Sequence, residues 1–93
     1  MPSVVATLQV KEDKIEAAKQ ALKQLASETL ADEPGTLAYV FHQQKDDPTL
    51  FVAYEKYESD EAFAQHGKNL ASKGAAFAGI LAGPPKITML EEL

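Results

Sequence analysis

The chain contains no cysteine, no tryptophan and no arginine. Without cysteine there are no disulfides and no thiolate metal sites, which suits a reducing cytosol. All nine basic residues are lysines, so the bidentate forks that read guanine are missing. A net charge of −5 further opposes nucleic acid, whose phosphates demand a basic face. Long apolar runs are also absent. The opening MPSVVATLQV has no basic n-region and only a short apolar stretch, so it is neither a signal peptide nor a membrane span. The expectation is a cytoplasmic protein with no nucleic acid and no membrane among its partners.

What is present is ordinary for a globular protein. Hydrophobic residues make up 45% and charged residues 25%, a balance that argues against disorder. Residues 1–93 form a single domain, with no length for a second core. A chain this short buries only about two thirds of its unfolded surface, so assembly with a partner would add stability.

Along the chain, Val4, Ala6, Leu8 and Val10 alternate with Val5, Thr7 and Gln9, a strand pattern. KEDKIEA opens a helix, with Asp13 and Glu16 at capping-box spacing. Ile15, Ala18, Leu22, Leu25, Thr29 and Leu30 form its apolar stripe. Glu33-Pro34-Gly35 stops it, because Pro34 disfavours the helical region before it and Gly35 permits a turn. Residues 37–44 and 50–58 are predicted strands joined by the polar turn Lys45-Asp-Asp-Pro-Thr49, hence an antiparallel hairpin. Ser59 is a good N-cap, with Asp60 and Glu61 where the helix dipole favours anions. The second helical region runs to about Ala82, with a break expected around residues 69–74, where glycine weakens it. Gly83-Pro84-Pro85 ends it, and residues 86–90 are a fourth strand. The order is βαββαβ, a ferredoxin-like α+β fold with one antiparallel sheet covered by two helices.

Strands two and three are apolar on both sides. Leu37, Tyr39 and Phe41 are assigned to one face and Ala38 and Val40 to the other; Phe51 and Ala53 oppose Leu50, Val52 and Tyr54. One chain has helices for only one face, so the other calls for a second sheet from a second copy. A homodimer is expected.

Chemistry-bearing residues are few. His42 and His66 carry the side chain that titrates near neutrality, so either can serve as a general base; a structural histidine is the plainer alternative. Glu55 stands among aromatics in FVAYEKY, where a charge is costly to bury unless it finds a partner. It can orient a histidine, accept a proton or bind a hydroxyl, or else pair with an edge lysine. Tyr39, Tyr54 and Tyr57 can offer phenolic donors to a pocket, or serve as amphipathic core. Phe51 and Phe63 would supply apolar wall. His42, His66 and Glu55 contain the residue types of a two-histidine, one-carboxylate metal site, but nothing in their spacing enforces convergence, so no metal site is expected. Glycine-rich phosphate loops, a nucleophile elbow and nucleotide fingerprints are absent.

The run EPGTLAYVFHQQKDDPTLFVAYEKYESDEAFAQH, residues 33–66, resembles the antibiotic biosynthesis monooxygenase family. Its marks here are Glu33-Pro34-Gly35, the Asp47-Pro48 hairpin, Phe51 with Glu55 and Tyr57, and His66 on the following helix. The closing GPPKITMLE is similar to the family's tail, so the resemblance spans nearly the whole chain. It implies a dimeric α+β barrel and cofactor-independent oxygenation of a quinol or hydroxylated aromatic. Relatives also degrade haem, through a tryptophan this chain lacks, or isomerise a phosphorylated autoinducer-like compound. Many carry a second histidine soon after the first on helix two; HGKNLASKGAAF has none. The expected function is a monooxygenase with no cofactor. His66 or His42 would be the base and Glu55 the orienting or substrate-binding group; Tyr54 or Tyr57 would steady the developing oxyanion. The alternatives are the phosphorylated-compound isomerase and a non-catalytic dimer that binds small apolar molecules.

Overall fold

The computed structural model describes residues 1–93. Its elements are β1 (Pro2–Gln9), a 3₁₀ turn (Glu12–Lys14), α1 (Ile15–Asp32), β2 (Thr36–Gln43), β3 (Leu50–Tyr57), α2 (Asp60–Ser72), α3 (Gly74–Ala78) and β4 (Lys86–Glu91). The four strands form one antiparallel sheet in the order β2-β3-β1-β4. This is the expected ferredoxin-like α+β arrangement. The second helical region divides at Lys73, within the weakened segment. No helix is long and apolar enough to cross a membrane.

The inner row of β1 behaves as its alternation demands, with Val4, Ala6, Leu8 and Val10 all buried. It packs with Ala18, Leu22 and Leu25 of α1 and with Tyr39, Phe51 and Ala53 from the hairpin to form the core. Leu30, assigned to the same stripe, is exposed, because the stripe already ends on Thr29. The Asp13–Glu16 capping box does not form. Backbone bonds fix the helix entry instead: Lys11 N–H donates to Ile80 O at 3.0 Å, and Lys14 N–H to Lys11 O at 2.9 Å, closing the 3₁₀ turn. Ser59 does cap α2, its Oγ accepting from Ala62 N–H at 3.1 Å.

Strand β2 departs from simple alternation. A bulge lies between Thr36 and Ala38, so Leu37 is the extra residue in the ladder. Leu37 therefore does not share a face with Tyr39 and Phe41 and is exposed, while Thr36 turns inward beside them. The remaining pairs run Tyr39–Glu55, Val40–Tyr54, Phe41–Ala53 and His42–Val52. This register puts His42, Val52 and Tyr54 on the outer face, away from the helices. There Val40 and Tyr54 remain 47% and 39% exposed. No helix covers β4, whose six residues are all exposed.

Gly35 closes the corner between α1 and β2 against the start of α2. A Cβ at this position would lie 2.7 Å from the Cβ of Ala62 and 3.3 Å from Glu58 Oε1. Its carbonyl also accepts from Glu58 N–H at 2.9 Å, so the corner cannot easily retreat. We expect Gly35→Ala to lower stability by about 1–3 kcal/mol, the usual range for overpacking, as a reduced urea midpoint at unchanged slope.

Candidate functional site

Tyr39 and Glu55 stand directly opposite each other on the inner face of β2 and β3, and Val4 of β1 flanks Glu55 from the other side. Glu55 is therefore 5% exposed among apolar neighbours. One of its oxygens, Oε1, accepts the Tyr57 hydroxyl proton at 2.5 Å. The other, Oε2, has no hydrogen bond and is not enclosed; it opens on the cavity described below. Burial pushes the Glu55 carboxyl above its usual range, and the Tyr57 bond and the nearby His66 oppose this only in part. The edge-lysine alternative fails, because Lys56 pairs with Glu92, on the strand face opposite Glu55.

His66 comes from the inner face of α2 and is 2% exposed. Its Nδ1 lies 2.9 Å from Glu33 Oε1. A carboxylate can only accept, so Nδ1 carries a proton, and the lone pair of a neutral ring would lie on Nε2. Nε2 is buried without any partner. It faces Glu55 Oε1 at 3.9 Å, beyond direct hydrogen-bond reach.

Glu33 owes its position to the chain around it. Pro34 disfavours helix at the residue before it, and Glu33 caps α1 in an extended conformation, φ −118° and ψ 91°. Its side chain meets three donors: Thr36 Oγ1 at 2.9 Å, Asn69 Nδ2 at 3.0 Å and the imidazole. The bulge at Leu37 is what keeps Thr36 turned inward. Asn69 follows His66 by three residues, so both lie on one face of α2. Burial works against the Glu33 charge, but the Asn69, His66 and Thr36 bonds together hold the carboxyl below its usual range.

Between helices and sheet lies a cavity of about 670 Å³, ample for a small ligand. Leu8, Leu22, Leu25, Phe77, Leu81 and Ile87 supply much of its wall, with Gly67, Gly74 and Gly83 among the smaller contributors. Its polar groups gather where Tyr39, Glu55 and His66 meet. The Tyr39 ring stands edge-on to the imidazole, centroids 4.9 Å apart at 81°. Its hydroxyl has no partner in the chain and is not enclosed. Burial, with Glu55 and Glu33 reinforcing it, pushes that phenol well up, so it remains a donor.

Of the residues singled out from sequence, His66, Glu55, Tyr39 and Phe63 line this cavity. Tyr57 and Phe51 sit behind it in the core, and Tyr57 acts by holding Glu55. His42 and Tyr54 are not brought to it; the hairpin register puts both on the far side of the sheet. Of the three tyrosines, Tyr39 is the one that lines the cavity. With His42 turned away, no three His, Asp or Glu side chains are arranged to hold a metal ion. Glu33, Thr36 and Asn69 escaped sequence reasoning. One signal was available: Asp32 and Glu33 end α1, where the dipole disfavours anions, so a carboxylate there calls for a partner.

The two buried carboxylates carry opposite pH signatures. Glu33, held low, contributes stability that is present above about pH 4.3, the unfolded value, and lost as pH falls through its folded pKa. Glu55, held high, contributes stability that is present below about pH 4.3 and lost as pH rises through its folded pKa. In denaturant titrations across pH, Glu33→Gln should flatten the acid limb and Glu55→Gln the limb above it. Identical changes in both variants would contradict the assignment.

The family model for antibiotic biosynthesis monooxygenase matches residues 1–76. No curated protein matches the chain in sequence. Among solved structures, a Caulobacter crescentus protein provisionally assigned as an antibiotic biosynthesis monooxygenase is 32% identical, with a TM-score of 0.90, covering 99% of this chain and 89% of that one. A Nitrosomonas europaea protein with the same provisional assignment is 30% identical at a TM-score of 0.90, covering 100% and 99% of the two chains. A conserved protein of Methanosarcina mazei shares the fold at 23% identity and a TM-score of 0.87, covering 99% and 92%. On the family match and on likeness along its full length, the chain belongs to the antibiotic biosynthesis monooxygenase family.

Proposed function

We propose that the chain is a monooxygenase that acts on a quinol or hydroxylated aromatic without a cofactor. The observation that carries this reading is the unpartnered His66 Nε2 beside Glu55 at the polar end of an otherwise apolar cavity. A flat, uncharged ring suits the leucine and phenylalanine walls. The His66–Glu55 pair takes the proton of its hydroxyl, and the Tyr39 hydroxyl donates to an oxygen that gains negative charge. The electron-rich anion then passes an electron to O₂. Recombination forms a hydroperoxide on the ring, and loss of water leaves a hydroxylated quinone. One oxygen atom enters the product, the other leaves as water, and the substrate supplies every electron.

Two observations favour this reading over its rivals. A phosphorylated substrate needs positive charge, yet no lysine lines the cavity, and Lys56 and Lys73 are engaged with Glu92 and Glu28. A purely passive binder has no use for a buried imidazole nitrogen without a partner, since such an atom costs about 1–3 kcal/mol. The exposed Val40 and Tyr54 on the outer face support a homodimer packed sheet to sheet. Light scattering should give twice the 10.1 kDa chain mass; the single-chain mass in dilute solution would sink the dimer.

For the chemistry, metal-free protein supplied with a menadiol-type quinol should consume oxygen above the uncatalysed rate. His66→Gln, which can still bond Glu33, should lower that rate about 100-fold or more, the usual weight of a general base. His42→Ala should leave it unchanged. No uptake above background with any hydroxylated aromatic would overturn the reading.

A further inference from the structure

Resting on the reading above, the identity of the group that touches the ligand can be taken a step further. His66 Nε2 shows no surface to the cavity. Its ring is hemmed in by Tyr39 and Tyr57, with centroids at 4.9 and 5.3 Å, and Nε2 faces Glu55 Oε1. Glu55, by contrast, has one oxygen tied to Tyr57 and the other bare on the cavity. It is also the one carboxylate in the cavity wall. Any proton that travels from a ligand to the imidazole meets Glu55 first.

We propose that Glu55 is the catalytic base that contacts the ligand hydroxyl, and that His66 stands behind it as the proton store rather than as the contacting residue. In the first step the ligand O–H bond breaks and an O–H bond forms at Glu55 Oε2, leaving the ligand as an anion and Glu55 neutral. The carboxyl then turns about its Cγ–Cδ bond, a broad and roughly two-fold torsion. That rotation exchanges the two oxygens: the protonated one takes the place of Oε1, beside Nε2 and the Tyr57 hydroxyl, and the other turns to the cavity. A movement of about 1 Å brings the 3.9 Å gap into hydrogen-bond range. The proton passes to Nε2, the Glu55 O–H bond breaks, and an imidazolium is left between the Glu33 and Glu55 carboxylates. Return of the proton to the departing product reverses each step. Glu33 is a positioning residue here: it fixes the tautomer that leaves Nε2 able to accept.

The probe is 4-nitrophenol, an apolar phenol whose anion is coloured and whose ring is too electron-poor to be oxygenated. It reports contact and proton removal without turnover. Wild-type protein should bind it and raise the phenolate absorbance. The infrared carboxylate band should shift on binding, and the shift should be lost in Glu55→Gln. His66→Gln should hold 4-nitrophenol within about 3-fold of wild type, because the contacting oxygen remains, while quinol-dependent oxygen uptake collapses through kcat with KM little changed. Glu55→Gln should bind the probe as the neutral phenol, with no phenolate band. A static carboxylate band in the wild-type protein would overturn the proposal. So would a full phenolate band in Glu55→Gln, or an affinity loss of about tenfold or more in His66→Gln, the weight of one direct hydrogen bond. Because the probe is not turned over, these results stand apart from oxygen uptake, whose absence would overturn the oxygenase reading alone.

Discussion

The hydrogen bond between Glu33 and His66 ties the corner after α1 to the middle of α2, across 33 residues of chain. Much else about the site follows from it. It holds α2 over the sheet at the level of Tyr39 and Glu55, and it sets which imidazole nitrogen is free. It also gives a buried carboxylate one of the three donors it needs. Pro34 helps bend the chain so that Glu33 turns back, Gly35 lets the corner approach Ala62, and Ser59 starts α2 where its second and third turns meet Glu33. Burying a charge is strongly unfavourable unless it is fully paired. That constraint makes these local choices depend on one another.

The two carboxylates beside His66 show how environment divides one functional group into two roles. Glu33 accepts from three side-chain donors and is held as an anion. Glu55 accepts from one, in a drier setting, and its carboxyl is pushed above the usual range. The difference lies both in the deeper burial of Glu55 and in the larger number of donors around Glu33. Such separation of paired titratable groups is how a site assigns acid and base work near neutral pH.

Much of this was legible in the residues alone. Alternation in β1, the Pro34-Gly35 stop, the Ser59 cap and the helix break all depend on local chemistry, and local chemistry is what a sequence displays. Glu55 was conspicuous because a charge on an aromatic strand raises its own question. Four features were hidden, each for a physical reason. The bulge at Leu37 depends on how β2 meets β3, so strict alternation misassigned Leu37. The position of His42 turned on hairpin register, which a polar turn of several residues leaves open. Asp13 and Glu16 have the right spacing for a cap, but long-range backbone bonds to Ile80 decide where that helix begins. Glu33 and Asn69 lie 36 residues apart and meet only once the fold has formed.

The wall of the cavity has a property that its polar end lacks. Added Cβ atoms at Gly67, Gly74 and Gly83 would meet nothing within 4 Å, although all three line the cavity. A side chain added there would meet open space at its Cβ, whereas the Glu33–His66–Glu55 end is tied together by hydrogen bonds to neighbouring side chains. The site thus combines a hydrogen-bonded polar end with a roomier apolar wall. Within this architecture, single substitutions in the wall can change the space beside Glu33, His66 and Glu55 while leaving those three side chains where they are.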